Sequence, residues 1–430
     1  MRVTSLSLVL SALVSPTAGY GLDFKTPCDI HNVTSGAFDH THAYPTARTW
    51  SDDSKWLFVE SPGPDADGKV LKNARHLIAV NIETNNRRYL ATTVHPDPDQ
   101  PPAWMGFDYA PEANALVYFG PKSRRIYMVD VQTGEQGLLL EEPEAILQGP
   151  LTVAWDGTRV VYWTMFPAKH SRFFDDYITT IFYFDVDPTT LKRTSEPKII
   201  EAYPRRKGPG WSPTSIKDAV HINHPQINPK NKNHITYAHE MLGSRPDGTI
   251  ARSRLWHSFV DESRKQPLIH QPAGLDFTHE VIAPDGKSLI FPYMLGVGQV
   301  FFDTREARSI FYNPSSCPGH LTISPDMKWL AGDTWGQWKD EAGQTWQSVM
   351  LIEVATRKWA HVAWFYHSHP HPIFSPDGSK IAFSHRDKLG YQQVAWIDIS
   401  QIKRNWDDVH DGVGDIASPA WIEGVDNAAK

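Results

Sequence analysis

Histidine is the most informative residue type in this sequence, because imidazole binds transition metals and exchanges protons near neutral pH. The chain has 20 histidines among 430 residues. Four of them, His224, His279, His320 and His371, each stand five residues before a proline in a recurring turn. His369 lies two residues before His371, so on a strand both side chains would point to the same side. The spacing predicts that these imidazoles come together in the fold.

A group of neutral imidazoles is typical of a metal site, since the rings repel one another once they are protonated and a bound cation resolves that conflict. Imidazole nitrogen suits Mn, Zn, Ni or Fe better than Ca. The sequence offers no cysteine cluster for a closed structural zinc site. The alternative interpretation is that each histidine is a buried residue hydrogen-bonded to backbone.

The elements that would position these residues are short strands in a sevenfold repeat. One phrase, a polar turn followed by an apolar strand, begins at Trp50, Ala110, Ala154, Ile227, Ile282, Ile323 and Phe374. A second phrase follows each copy: a strand that ends in an acidic residue or asparagine, a turn and another strand. Each period therefore holds about four strands. Repeats of this kind are typical of β-propeller blades.

Seven such blades account for residues 19–406, so we predict an all-β, seven-bladed β-propeller that forms a single domain. The first strand of a propeller blade lines the central channel, which would direct the four histidines to the axis. The sequence contains no GxSxG nucleophile elbow, and the repeats leave no segment for a peptidase domain.

The ends of the chain indicate secretion. Residues 1–18 have the basic start, apolar middle and small final residues of a signal peptide, so we expect a secreted, extracellular protein. Asn32 begins an N-glycosylation sequon. The only two cysteines, Cys28 and Cys317, either pair in an oxidising compartment or stay reduced. Residues 407–430 are expected to form a polar C-terminal tail.

Charge and hydropathy exclude two classes of partner. A formal net charge of −7 is unfavourable for a protein that binds nucleic acid through a basic face. Beyond the first twenty residues, no apolar run approaches the roughly 20 residues that span a membrane. We therefore expect a small-molecule partner, no nucleic acid, no membrane and a monomeric protein.

Segments around the repeated histidines resemble a known enzyme family. Four segments look like parts of oligogalacturonate lyases, the propellers of polysaccharide lyase family 22. They are HPQINPKNKNHITYAHEM from His224, the following SRLWHSF, HEVIAPDGKSLIF and HPHPIFSPDGSKIAFSHRD. The similarity covers residues 221–395, and only the generic blade pattern matches before it. The resemblance implies β-elimination, in which the C5 proton of a uronate is removed and the 4-linked sugar leaves. The implied substrate is a small acidic oligosaccharide, by default oligogalacturonate.

The same resemblance implies a divalent metal cofactor, Mn²⁺, with Zn²⁺, Ni²⁺ and Ca²⁺ as alternatives. His279, His369 and His371 match the family's metal histidines. The family also uses a glutamine three residues before its HPH triplet, where this chain has Tyr366. That place is therefore left to His320, His367, His224 or water.

The resemblance also implies catalytic residues. His239 matches the histidine of the family's His-Glu-Gly motif and is the expected base, with His224 as the alternative. The arginine that would bind the uronate carboxylate is left open among Arg254, Arg205 and Arg206. For each arginine, the alternative is a solvated or blade-edge role.

Aromatic residues offer possible sugar-stacking surfaces, although tryptophan is also common in propeller cores. The candidates are Trp104, Trp335, Trp338 and Trp346. Three competing functions stay open. A related lyase would cleave another linkage, such as rhamnosyl-glucuronate in plant gums. A TolB-like propeller would bind proteins and would not need axial histidines. A glycoside hydrolase would need paired carboxylates, which the histidine register does not provide.

Overall fold

The structure of the protein, a computed structural model, describes sixteen stretches of the chain. They are residues 27–95, 106–120, 124–142, 146–167, 177–204, 206–207, 219–240, 254–261, 263–269, 277–293, 296–314, 316–334, 338–339, 343, 345–366 and 369–415. Within these stretches no helix has the length and apolar character needed to cross a membrane.

Seven blades of antiparallel strands make up the fold. The first strand in the described residues is β1 (His31–Asn32), which belongs to the last blade. Blade 1 contains β2 (Trp56–Ser61), β3 (Ala74–Asn81) and β4 (Arg87–Val94). Blade 2 contains β5 (Phe107–Ala110), β6 (Ala115–Phe119), β7 (Arg125–Asp130) and β8 (Gln136–Glu141). Blade 3 contains β9 (Ile146–Val153), β10 (Arg159–Pro167), β11 (Tyr177–Asp187), β12 (Lys192–Arg193) and β13 (Lys198–Pro204).

The remaining blades follow in chain order. Blade 4 contains β14 (Arg206–Lys207), β15 (Ala219–Asn228), β16 (Asn231–Glu240), β17 (Leu255–Phe259) and β18 (Gln266–Pro267). Blade 5 contains β19 (Val281–Ile282), β20 (Ser288–Tyr293), β21 (Gly296–Phe301) and β22 (Ala307–Tyr312). Blade 6 contains β23 (Pro318–Ile323), β24 (Trp329–Thr334), β25 (Trp338–Lys339), β26 (Thr345–Glu353) and β27 (Lys358–Tyr366). Blade 7 contains β28 (Ile373–Phe374), β29 (Lys380–Arg386) and β30 (Gln392–Asp398). The predicted all-β, seven-bladed propeller is confirmed.

The recurring turn has a local physical cause. In blade 6, the Ser324 hydroxyl donates to Asp326 Oδ1 at 2.6 Å and accepts the backbone N–H of Trp329 at 2.9 Å. Ser51 in blade 1 and Ser375 in blade 7 make the same pair of bonds in their own turns. The side chains thus satisfy backbone groups that the tight turn would leave unpaired.

Hydrogen bonds between blades hold the inner strands in register. The Gln226 amide of blade 4 donates to the carbonyl of Glu280 at 2.8 Å and accepts the N–H of Ile282 at 3.0 Å, both in blade 5. Gln226 stands two residues after His224, and the residue at the same position of three other blades also bonds to the next blade. These bonds join Asp108 to Val153, Thr152 to Ile227 and Thr322 to Pro372. The axial positions of successive blades are therefore fixed relative to one another.

The apolar core lies between neighbouring blades. Between blades 3 and 4, for example, Val161, Trp163 and Tyr183 pack against Ile222 and Tyr237. The face of each sheet is thus buried by the next sheet around the ring, as in other stacked β-sheets.

The N-terminal segment closes the ring, a feature that the repeat pattern did not predict. β1 pairs with β30 as the outer strand of blade 7, with His31 opposite Trp396. Their rings stack at 4.3 Å between centroids. Cys28 and Cys317 are both buried free thiols, so the structure contains no disulfide bond between them. Burial raises the pKa of Cys28 to about 12, which keeps this thiol protonated.

Part of the segment predicted as a tail is ordered against blade 6. After α1 (Ser400–Arg404) and α2 (Trp406–Val409), β31 (Gly412–Val413) pairs with β27. The Trp406 ring meets Trp329 edge-on at 4.9 Å. The boundaries at residues 18 and 406 stay predictions.

Candidate metal centre and active site

The four registered histidines do come together at one end of the inner strands. The rings of His279 and His320 lie 3.9 Å apart between centroids, and those of His320 and His371 lie 4.2 Å apart. His224 is 6.4 Å from His279, and His369 is 5.9 Å from His320. The structure therefore brings together the four histidines of the turn register and His369.

The backbone at these positions is unusual. His224, His279 and His371 have φ values of +48°, +48° and +51°, in the left-handed region that side chains with a Cβ seldom adopt. Gly106, which occupies the equivalent position in blade 2, has a φ of +48°. The same sharp bend therefore recurs at this position in four blades, with histidine in three of them.

Asp333 is a site residue that the sequence analysis did not identify. It lies on β24, beside His320 on β23, and is buried. Its Oδ1 accepts the backbone N–H of His320 at 2.6 Å, and its Oδ2 lies 2.8 Å from Nδ1 of the same residue. Burial favours the neutral acid, but the contacts with His320 and the neighbouring His371 together outweigh it, so the pKa of Asp333 lies below its usual value. An ionised Asp333 accepts a hydrogen bond from Nδ1–H, which leaves Nε2 of His320 as the unprotonated nitrogen.

Tyr44 is a second residue that sequence analysis missed. It lies between β1 and β2, and its ring is 5.4 Å from His224, 5.8 Å from His320 and 5.1 Å from His371. Its hydroxyl is 2.8 Å from Nδ1 of His279. When the tyrosine oxygen accepts a hydrogen bond from Nδ1–H, Nε2 of His279 carries no proton and is free to bind a cation.

The residues at this end of the channel fit a divalent metal. Ligand atoms of His320, Asp333 and His371 all lie within 4.8 Å of one another. Burial, followed by the charge of His320, lowers the pKa of His371 well below its usual range, so this ring stays neutral. Neutral imidazoles with a carboxylate suit Mn, Zn, Fe or Ni. Since both oxygens of Asp333 already bond to His320, we assign Asp333 to orienting that imidazole.

Arg254 lies beside the histidine group and is buried, with 6% of its surface exposed, which excludes the solvated alternative for this arginine. Its Nε donates to Glu280 Oε2 at 3.1 Å, and its Nη2 is 3.3 Å from Nδ1 of His224. Burial raises the pKa of Glu280, but the Arg254 charge and the His224 contact outweigh it and leave this carboxyl ionised. Arg254, Glu280 and His224 thus form one connected group between blades 4 and 5.

His239 is one strand further from the axis. Its backbone N–H donates to the carbonyl of Arg254 at 2.8 Å, which places it at the same end of blade 4 as the other histidines. Its ring stacks on Trp256 at 4.5 Å and meets Tyr237 at 5.7 Å. Burial, with a smaller contribution from Lys265, lowers the pKa of His239 to about 4. The imidazole is therefore neutral in mildly acidic and neutral solution.

Several predicted residues cannot be placed. Arg205, His367, Trp104 and Trp335 lie outside the described residues, as do the side chains of Tyr366 and Arg206.

The two remaining candidate tryptophans belong to blade 6. Trp338 and Trp346 face each other across β25 and β26, and the Trp338 ring meets Trp364 at 6.3 Å. Their role in sugar stacking stays a prediction.

Comparisons with known proteins give a result for the fold. The sequence matches no protein-family model and no curated protein. The crystal structure of oligogalacturonate lyase from Vibrio parahaemolyticus superposes with a TM-score of 0.66 at 17% identity, covering 87% of this chain and 94% of that one. A structure of oligogalacturonate lyase in complex with manganese gives the same values. At this identity the comparison establishes the architecture alone: the chain is similar in fold to these oligogalacturonate lyases.

Proposed function

We propose that this protein is a metal-dependent lyase that cleaves uronate-containing oligosaccharides by β-elimination. The observation that carries the proposal is the axial imidazole group. In this group Tyr44 holds Nδ1 of His279 and Asp333 holds Nδ1 of His320. Hydrogen-bond partners of this kind orient metal-bound histidines in other proteins. The fold shared with oligogalacturonate lyases supports the proposal, and oligogalacturonate is the first substrate to test.

The proposed metal ligands are His279, His320, His369 and His371. A divalent cation bound there, proposed to be Mn²⁺, would neutralise the uronate carboxylate and make the neighbouring C5 proton easier to remove. Zn²⁺, Ni²⁺ and Ca²⁺ are the alternatives to compare in solution. The structure with manganese belongs to a similar fold, which makes this ion the first choice.

We propose His239 as the base. Its backbone bond to Arg254 places it at the same end of the blade as the metal-binding group, and its lowered pKa supplies the neutral form that a base requires. In the reaction, the imidazole takes the C5 proton, the C–H electrons form the C4–C5 double bond, and the C4–O4 bond breaks with its electrons going to oxygen. His239→Ala should therefore abolish turnover while leaving metal content unchanged.

A continuous ultraviolet assay for the unsaturated uronate product tests the proposal. The mature protein is given di- and trigalacturonate with Mn²⁺ or with EDTA. We expect absorbance to rise with Mn²⁺ and to stay flat with EDTA. His371→Ala should behave like the EDTA sample, whereas His31→Ala, which removes an exposed histidine of β1, should retain activity.

Flat traces under all conditions would exclude oligogalacturonate. Rhamnosyl-glucuronate from plant gums would then be tested in the same assay, because it undergoes the same elimination at a different linkage. Inactivity on both substrate classes would contradict the lyase proposal and favour a protein-binding platform.

We further infer that the protein is secreted as a monomeric glycoprotein. The support is the signal-peptide pattern of residues 1–18 and the exposure of Asn32 on the edge strand β1. An endoglycosidase should reduce the mass of the secreted protein, and Asn32→Gln should remove that difference. Light scattering should give the mass of one chain.

A further inference from the structure

We propose that His224 acts as a neutral hydrogen-bond donor to the substrate through Nε2, in a tautomer that Arg254 and Glu280 fix. This inference rests on the proposed lyase function and excludes His224 as the alternative base. His224 is the proposed catalytic residue, because it would touch the substrate. Arg254 and Glu280 are positioning residues that act through it.

The first step is the anchoring of Arg254. Its Nε donates to Glu280 Oε2 at 3.1 Å, and the carboxylate is 0% exposed. The backbone of Glu280 is tied in turn to blade 4, because the Gln226 amide donates to its carbonyl at 2.8 Å. The guanidinium is therefore held by a buried charge pair whose loss would leave an unpaired ion.

The second step is the proton on His224. A guanidinium has five N–H donors and no acceptor, so a nitrogen that bonds to it must supply the lone pair. Nη2 of Arg254 lies 3.3 Å from Nδ1 of His224, within hydrogen-bond range. Glu280 Oε1, the group that would accept a proton from Nδ1, is further away at 3.8 Å. Nδ1 is thus the acceptor, and the neutral ring carries its proton on Nε2.

The third step is what this proton faces. The Nε2 edge of the ring is turned away from Arg254, and the ring itself neighbours Tyr44 and His279 at the axial group. The side chain of His224 is 15% exposed, so part of it is accessible to solvent. A protonated Nε2 cannot take the C5 proton, but it can donate to an oxygen of the uronate carboxylate as negative charge develops there. Triosephosphate isomerase uses a neutral histidine to polarise a substrate oxygen in this way.

No proton is transferred by His224 in this scheme. The base takes the C5 proton, the C5–H electron pair becomes the C4–C5 double bond, and the leaving oxygen takes the C4–O4 pair. The proton stays on Nε2 of His224. The hydrogen bond that it makes to the uronate carboxylate becomes stronger as the carboxylate gains enolate character. A side chain with an N–H donor but no basic nitrogen should therefore replace it in part.

Two substitutions separate a donor from a base. His224→Gln keeps an N–H donor without a basic nitrogen, whereas His224→Met keeps the bulk and loses the donor. We expect His224→Met to lower kcat by about 10²–10³-fold, the loss found when one transition-state donor is removed. We expect His224→Gln to retain most of that activity. Equal loss in both variants, with thermal midpoint and metal content unchanged, would overturn the inference, as would an unchanged kcat in His224→Met.

Nitrogen NMR of the substrate-free protein gives a readout independent of activity. The His224 signals should show an unprotonated Nδ1 and a protonated Nε2. Arg254→Lys, which keeps a donor without an acceptor, should preserve this pattern. The double variant Arg254→Met/Glu280→Gln, which removes both charges together, should give a mixture of tautomers. A protonated Nδ1 in the unmodified protein would refute the assignment.

The two measurements distinguish this inference from the proposed function. Inactivity of the unmodified protein on every uronate would contradict the lyase, and the NMR pattern would still report the tautomer. Activity of the unmodified protein together with an indifferent His224→Met variant would leave the lyase standing and remove His224 from its mechanism.

Discussion

Asp333→Asn is the substitution that most directly tests how the axial histidines are held. The aspartate accepts two hydrogen bonds from His320, at the backbone N–H and at Nδ1. Asparagine has one oxygen and one NH₂ group in the same space, so it can satisfy one of these bonds. If its oxygen stays on the backbone N–H, its NH₂ group faces Nδ1 and forces the His320 proton onto Nε2. That tautomer cannot bind a metal through Nε2.

The expected magnitude follows from the role of Asp333. Removing an orienting partner of a metal-bound histidine typically lowers metal affinity about 10–100-fold. Each factor of ten corresponds to about 1.4 kcal/mol, so the loss in binding free energy should be about 1.4–2.8 kcal/mol. If the asparagine rotates to keep the Nδ1 bond, the buried backbone N–H loses its acceptor, which costs about 1–3 kcal/mol of folding stability.

Isothermal titration of the EDTA-treated protein with Mn²⁺ measures the first quantity, and denaturant unfolding of the metal-free protein measures the second. Asp411→Asn is the matched control. Asp411 also accepts a backbone N–H from a histidine of blade 6, since the N–H of His361 donates to it at 2.7 Å, but it lies away from the axial group. Asp411→Asn should leave Mn²⁺ affinity unchanged. Unchanged Mn²⁺ affinity in Asp333→Asn would refute both the tautomer argument and the assignment of His320 as a ligand.

Three further outcomes follow from the fold. Gln226→Met should lower the unfolding free energy by about 1–3 kcal/mol for each unpaired backbone group in blade 5, and exposed Gln401→Met should not. Burial lowers the pKa values of His234 and His257 to about 3 and about 4 from 6.5, so the unfolded chain binds their protons first as pH falls below 6.5. The free energy of unfolding should be highest above pH 6.5 and lower by about 2 kcal/mol per imidazole at pH 5. Thermal unfolding of a His234→Phe/His257→Leu variant should show a smaller decrease over the same pH range. Deleting residues 27–33 should expose the edge of blade 7, lower the thermal midpoint and cause association that sedimentation would detect.

The blades were predictable because their signal is local and repeated. In blades 1, 6 and 7, a serine, an aspartate and a strand-starting N–H within six residues close the turn, as Ser324, Asp326 and Trp329 do. Such a unit needs no distant partner, and its recurrence also aligns the residues around it. The histidines before the turns could therefore be placed at one end of the channel without knowledge of the sheet pairings.

The partners of the histidines carry no such signal. Asp333 lies beside His320 through the pairing of β23 with β24, whose register is irregular between Pro318 and Leu321. Tyr44 comes from a stretch of blade 1 joined to its sheet by isolated bridges, outside the repeat register. Asp333 and Tyr44 are not part of the repeated phrases, so an alignment of the repeats does not single out either residue.

The left-handed backbone of the axial histidines links the fold to the chemistry. A side chain with a Cβ in this region costs about 1–2 kcal/mol relative to the right-handed region, and glycine avoids that cost. Gly106 shows that the blade geometry accepts glycine at this bend. His224, His279 and His371 together therefore store about 3–6 kcal/mol of strain, a large share of the 5–15 kcal/mol by which a typical folded protein is stable. Gly106 has the bend without an imidazole, so the bend alone does not account for histidine at the other three positions. A metal ion shared by these rings would offset the strain, because a ligand that binds only the folded state increases the free energy of unfolding.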